Sequence, residues 1–128
     1  MTSMNMDKRL CIECIKMLEN IRFIESIEDE NIIGYIDDNN RHIKVFYLED
    51  NLGAYIALAF LAKTWGNTQY VSEYLSRRII NGRHEVRDDC IILSSIFPIL
   101  DVQFLNKQIR HALLEIWAMN DVVENAPK

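Results

Sequence analysis

Turn formers are scarce in this chain, with four Gly and two Pro in 128 residues. That scarcity argues against an all-β design and for long regular elements joined by short connections. Cysteine is also sparse. Three cysteines are an odd number in a chain whose start, "MTSMNMDKRL", has no apolar signal region, so neither export nor a disulfide framework is expected. The longest apolar run, "LGAYIALAFLA" from Leu52 to Ala62, has eleven residues, whereas a bilayer span needs about twenty. No glycine-rich phosphate loop, nucleophile elbow, His-x-x-x-His or His-Glu-x-x-His spacing occurs. The reading is therefore a cytoplasmic protein with no catalytic, cofactor-binding or metal-ligating residue assigned, no cofactor and no membrane association.

What is present is the balance of a globular domain, 49% hydrophobic and 26% charged residues, in a length suited to one core. A single domain over 1–128 is expected, with 1–6 and 121–128 frayed. The net charge of −5 is unevenly spread. Between Glu25 and Asp50 eight acids face only Arg41 and Lys44, so that window carries −6 and everything else +1. Such a field repels nucleic acid and attracts a basic partner.

The chain from Asp7 to about Ile27 has helical spacing, with Leu10, Cys14, Met17, Ile21 and Ile24 as the core stripe, widened by Cys11, Ile15 and Leu18. "IIGYI" and "HIKVFYL", joined by the turn formers "DDNN", predict a β-hairpin. "EDNLGAYIALAFLAKTWG" offers Asp50 or Asn51 as an N-cap and Gly66 as a stop. Being apolar almost all round, it predicts a central buried helix. Further helices are expected over about 68–80 (Val71, Leu75, Ile79), 85–97 ended by Pro98, and 101–120 (Leu105, Ile109, Ala112, Ile116). The expected fold is α+β and mostly α: an N-terminal helix, one β-hairpin, then four helices packed around the buried apolar one.

Several stretches invite chemistry. "NGRHEVRDDC", Asn81 to Cys90, gathers a histidine, three acids and two arginines, and is read as the charged start of a helix whose Cys90 is buried. "CIEC", Cys11 to Cys14, has redox spacing but lies inside a helix without a preceding strand, which favours a structural role. His111 and Glu115 fit an exposed pair four residues apart. Arg77, Arg78, Arg83, His84 and Arg87 form a basic cluster, with only Tyr70 and Tyr74 nearby, so direct nucleic-acid binding is not expected. The acidic window carries the better signal. Glu28, Asp29, Glu30, Asp37, Asp38, Glu49 and Asp50 flank the hairpin, and Tyr35, Phe46 and Tyr47 are interleaved as aromatic anchors. These ten residues are the expected partner-binding set. An exposed hairpin edge also leaves a homodimer open.

A small acidic chain without catalytic motifs, rich in Ile and Asn, resembles the immunity proteins of bacterial toxin–immunity pairs, of the contact-dependent growth inhibition type. "HEVRDDCIILSSIF" is also similar to a helix of a HEAT-type hairpin. The first resemblance implies a non-enzymatic inhibitor that binds and occludes a cognate basic toxin, often a nuclease. Two alternatives stand beside it. "GAYIALAFLAKTWG" between amphipathic helices resembles the centre of viral Bcl-2-like folds, which implies a groove for a peptide helix. A small thiol-dependent enzyme using Cys11 or Cys14 is the other.

Overall fold

The computed structural model describes residues 2–26, 31–64, 67–78 and 82–126. The chain runs α1 (Thr2–Lys16), β1 (Arg22–Glu25), β2 (Ile32–Asp38), β3 (Arg41–Asp50), β4 (Gly53–Lys63), α2 (Thr68–Ser76), β5 (Arg83–Arg87), β6 (Cys90–Pro98) and α3 (Leu105–Asn125), with a 3-10 turn at Val102–Phe104. The strands form one six-stranded antiparallel sheet in the order β1-β2-β3-β4-β6-β5.

The sheet corrects the expected fold, which was mostly α with a single hairpin. The described residues hold three α-helices, and two segments expected to be helical are strands. "GAYIALAFLAK" is β4, in the middle of the sheet. It is apolar all round because both of its faces are apolar. Ile56, Leu58 and Ala62 are buried on one side, while Tyr55, Ala57, Ala59 and Leu61 occupy the other. A central strand and a buried helix share that composition, and the period-two placement of Ala57 and Ala59 is what separates them. The segment expected as a helix over 85–97 is the β5–β6 hairpin, turning at Asp88–Asp89, with Asp88 at φ 52°. Ile91, Leu93 and Ser95 alternate inward along β6.

The expected hairpin is present as β2–β3. Its turn is Asn39–Asn40, with φ 53° and 66°, the left-handed pair of a type I′ turn that asparagine tolerates. Gly34 lies at an irregularity in the β2–β3 register. A Cβ there would run into the Ile24 carbonyl and the Phe23 ring of β1. At the other end of β3, Asp50 Oδ1 accepts from the amides of Leu52 (2.7 Å) and Gly53 (3.1 Å), closing the turn into β4.

All three helices pack on the same face of the sheet. The stripe Leu105, Ile109, Ala112 and Ile116 of α3 is buried as its spacing predicts, and Val71 and Leu75 of α2 join it. Ile79 lies outside the described residues. In α1 the buried residues are Cys11, Ile12 and Ile15, followed by Leu18, whereas Leu10 and Met17 of the expected stripe are exposed. α1 stops at Lys16 rather than continuing to Ile27, because Arg22–Glu25 is drawn into β1. α3 continues to Asn125, with Val123 and Ala126 buried.

Candidate docking face

Strand geometry sends alternate side chains to opposite faces of a sheet. The ladder therefore sorts every strand residue into one of two sets. One set meets the helices. The other has no described element over it, and Ile24, Leu61 and Ile96 on that side are exposed.

The registers define transverse rows on this bare face. One row crosses all six strands: Ile24, Tyr35, Lys44, Ala59, Ser94, Arg83. The next runs Ile32, Phe46, Ala57, Ile96, and the one beyond it Leu48, Tyr55, Pro98. The latter two rows contain no charged residue. Toward the opposite end lie Arg22, Asp37 and His42, then Leu61, Ile92 and Glu85, then Lys63, Cys90 and Arg87. The bare face thus has an apolar half and a charged half.

Charge within the second half is partly compensated. Asp37 sits between Arg22 and His42, with Oδ2 3.9 Å from Arg22 and Oδ1 3.9 Å from His42 Nε2. Its Oδ1 is buried without a hydrogen-bond partner. Arg87 pairs with Glu85 at 3.2 Å. Counted over the face, Arg22, Lys44, Lys63, Arg83 and Arg87 oppose Asp37, Asp50 and Glu85, a local charge of +2. Since the chain totals −5, the rest of it carries −7.

The ten residues expected to bind a partner do not form one surface. Tyr35, Asp37, Phe46 and Asp50 share the bare face. Tyr47 points the other way and is 4% exposed, so it is a core residue and cannot serve as an anchor. Asp38 and Glu49 also belong to the helix-side set, and Asp38 lies 3.8 Å from Arg41, whose guanidinium stacks 3.8 Å above the Trp117 ring. β3 has ten residues, so Asp38 of β2, paired with Arg41 at its start, and Asp50 at its end are about 30 Å apart at the usual strand rise. Glu28, Asp29 and Glu30 lie outside the described residues. Glu25, counted in the acidic window, is held by Lys16 and Arg9, each at 2.7 Å. The Lys16 ammonium first, then the Arg9 guanidinium, lowers its carboxyl pKa. Among the described residues of the window, the fold disperses the charges.

Tyr55, Ile96, Lys44 and Lys63 are the face residues that the sequence reading missed. The signal on β4 is the alternation of large with small residues in "IALAF", which an assumed helical period conceals, whereas "CIILSSIF" carries no alternation. The expected basic cluster is divided. Arg83 and Arg87 stand on the bare face, while His84 turns under the sheet, with Nε2 3.2 Å from Ser72 Oγ and 3.3 Å from Ser76 Oγ.

Other chemistry is weaker. Cys11 is buried, and burial raises the Cys14 thiol pKa. At Cys90 the hydrogen bond to Asp89 is the main cause of a raised pKa, with burial second. Glu115 of α3 accepts from Ser95 Oγ at 3.2 Å and lies 3.7 Å from His111. That arrangement puts the carboxylate, rather than the imidazole, on the hydroxyl, unlike an activated nucleophile oriented through a base. Among the described residues no group of three or more His, Cys, Asp or Glu could hold a metal ion, and no helix is long and apolar enough to cross a membrane.

No protein-family model, curated protein or solved structure matches the chain.

Proposed function

We propose that this chain is a non-enzymatic protein-binding module that covers its partner with the bare face of the sheet. One observation carries the reading: an apolar half-face, Ile32, Phe46, Ala57, Ile96, Leu48, Tyr55 and Pro98, with no described element over it. A sheet face with helices on only one side normally turns polar residues outward, giving the alternation of a half-buried sheet. Here the outward set is apolar at its centre, and contiguous apolar surface of this kind marks interaction sites. Phe46 and Tyr55 supply the aromatic area on which interface energy concentrates.

An inhibitor of the immunity type fits within this class, since occluding another protein requires a broad, preformed surface. The docking residues move, however, from the hairpin acids to the strands on both sides of β4. The groove-binding alternative loses its basis, because the segment resembling a central helix is a strand. The thiol alternative is disfavoured by the burial of Cys11 and the raised pKa values of Cys14 and Cys90.

The test is comparative affinity capture from the native host with wild-type protein and the double variant Phe46→Ser/Tyr55→Ser. A protein retained by the wild type and lost by the folded variant supports the reading. Equal retention by both overturns it.

A further inference from the structure

The distribution of charge on the bare face identifies the chemistry of what it docks. Resting on the protein-binding reading above, we infer that the partner presents an acidic, amphipathic segment, its apolar side chains on the Phe46–Tyr55 half and its carboxylates over Lys44, Lys63 and Arg83.

These three cations have no acidic partner within 4 Å among the described residues, in contrast to Arg22 and Arg87 on the same face. Lys44 and Arg83 occupy one transverse row, separated by Ala59 and Ser94. Three strand spacings put them about 14 Å apart, close to the 10–12 Å diameter of a helix with its side chains. The small side chains between them let a segment approach the sheet while both cations reach its flanks. Immediately beside this row, Phe46, Ala57 and Ile96 begin the apolar half. A segment lying on the face therefore meets apolar surface at one end and uncompensated positive charge at the other.

The same map argues against other occupants. In a face-to-face pair of identical sheets, a two-fold axis along the strands sets the cationic half over its own copy. An axis across the strands sets it over the apolar half. The first axis pairs the apolar halves but sets cation over cation, and the second sets the cations over apolar surface, so neither gives Lys44, Lys63 and Arg83 an acidic partner. A nucleic acid strand is a long polyanion, and it would leave a face of +2 for a protein whose remainder carries −7. A short acidic segment confined to the face avoids that repulsion.

The experiment is a selection from a random-peptide phage library at low salt, followed by binding measurements on the enriched peptides. Three forms of the full chain serve as targets: wild type, Phe46→Ser/Tyr55→Ser, and Lys44→Glu/Arg83→Glu. All four substituted sites lie on the bare face, and circular dichroism checks that each form is folded. The expected peptides combine aromatic or aliphatic residues with Asp and Glu, and lose about ten-fold or more in affinity on charge reversal and on raising salt. Enriched peptides that are neutral or basic, or that bind the charge-reversed form equally well, overturn the inference while leaving the docking face intact. Peptides that also bind the Phe46→Ser/Tyr55→Ser form undiminished overturn the docking face as well. An empty selection, or tighter binding of a labelled single-stranded DNA control, overturns the acidic-segment inference.

Discussion

Phe60 of β4 meets Trp117 of α3 edge to face, with ring centroids 5.1 Å apart and planes at 75°. The contact joins the middle of the sheet to the longest helix, and Arg41 at the start of β3 stacks 3.8 Å above the same indole. Trp117 is therefore packed by a ring on one side and capped by a cation on another. Truncating Trp117 to Ala should cost about 2–4 kcal/mol, below the full value for a wholly buried aromatic because the indole is only half-buried. Arg41→Ala should cost about 0.5–1 kcal/mol. Urea denaturation of the two variants and the double variant measures both. Additive losses would show that the stacked guanidinium contributes nothing through the indole.

The hairpin turn offers a second check. Asn39 and Asn40 both occupy the left-handed region, where a β-branched side chain is disfavoured. Asn40→Val should destabilise the protein by about 1–2 kcal/mol, whereas Asn40→Gly should be neutral or slightly stabilising. Thermal unfolding of both variants distinguishes this from a turn held only by its flanking strands, in which case the two would behave alike.

This hairpin was also the part of the sheet most legible in the sequence. "DDNN" between two short β-branched runs has no competing helical reading, and the α3 stripe from Leu105 to Ile116 is equally unambiguous. β4 was opaque for a physical reason. With apolar residues on both faces, its sequence lacks the polar alternation that normally reveals a strand. The β5–β6 hairpin was hidden by the coincidence that Val86, Cys90, Leu93 and Phe97 also fit helical spacing. Once those two segments are assigned to helices, the bare face does not exist. Tyr35 and Phe46 could be singled out from the sequence, but the neighbours that make them a surface, Ala57, Tyr55 and Ile96, could not. Tyr47 was misplaced with them because a strand sends adjacent aromatics to opposite faces.

Thiol reactivity separates the three cysteines. The raised pKa values of Cys14 and Cys90 leave little thiolate at pH 7, and Cys11 is buried. Labelling of the folded protein by a disulfide reagent should be slow. Asp89 is the principal cause at Cys90, through its hydrogen bond from the thiol. Asp89→Asn should therefore speed labelling at Cys90 alone, read by mass spectrometry of the labelled peptides. Faster labelling at Cys14 as well would point to a general loosening of the fold instead.

Glu25 ties α1 to β1, accepting from Arg9 and lying 2.7 Å from both Arg9 and Lys16. Its carboxyl pKa in the folded chain lies below the ordinary 4.5, chiefly through Lys16 and then Arg9. The folded state therefore binds the Glu25 proton less readily than the unfolded state does. The sign follows directly: this group's contribution to stability is fully present above the ordinary value and is lost as pH falls through the lowered one. Glu25→Gln removes the charge at every pH. The stability difference between wild type and Glu25→Gln should accordingly be constant from pH 6 to 8 and shrink as pH drops below about 4.5. Added salt should also reduce it at neutral pH, because the partners on α1 are solvent-exposed. Urea titrations of both proteins across this range provide the measurement. A difference that stays unchanged into acid would mean that Glu25 acts by packing its side chain and not by its charge.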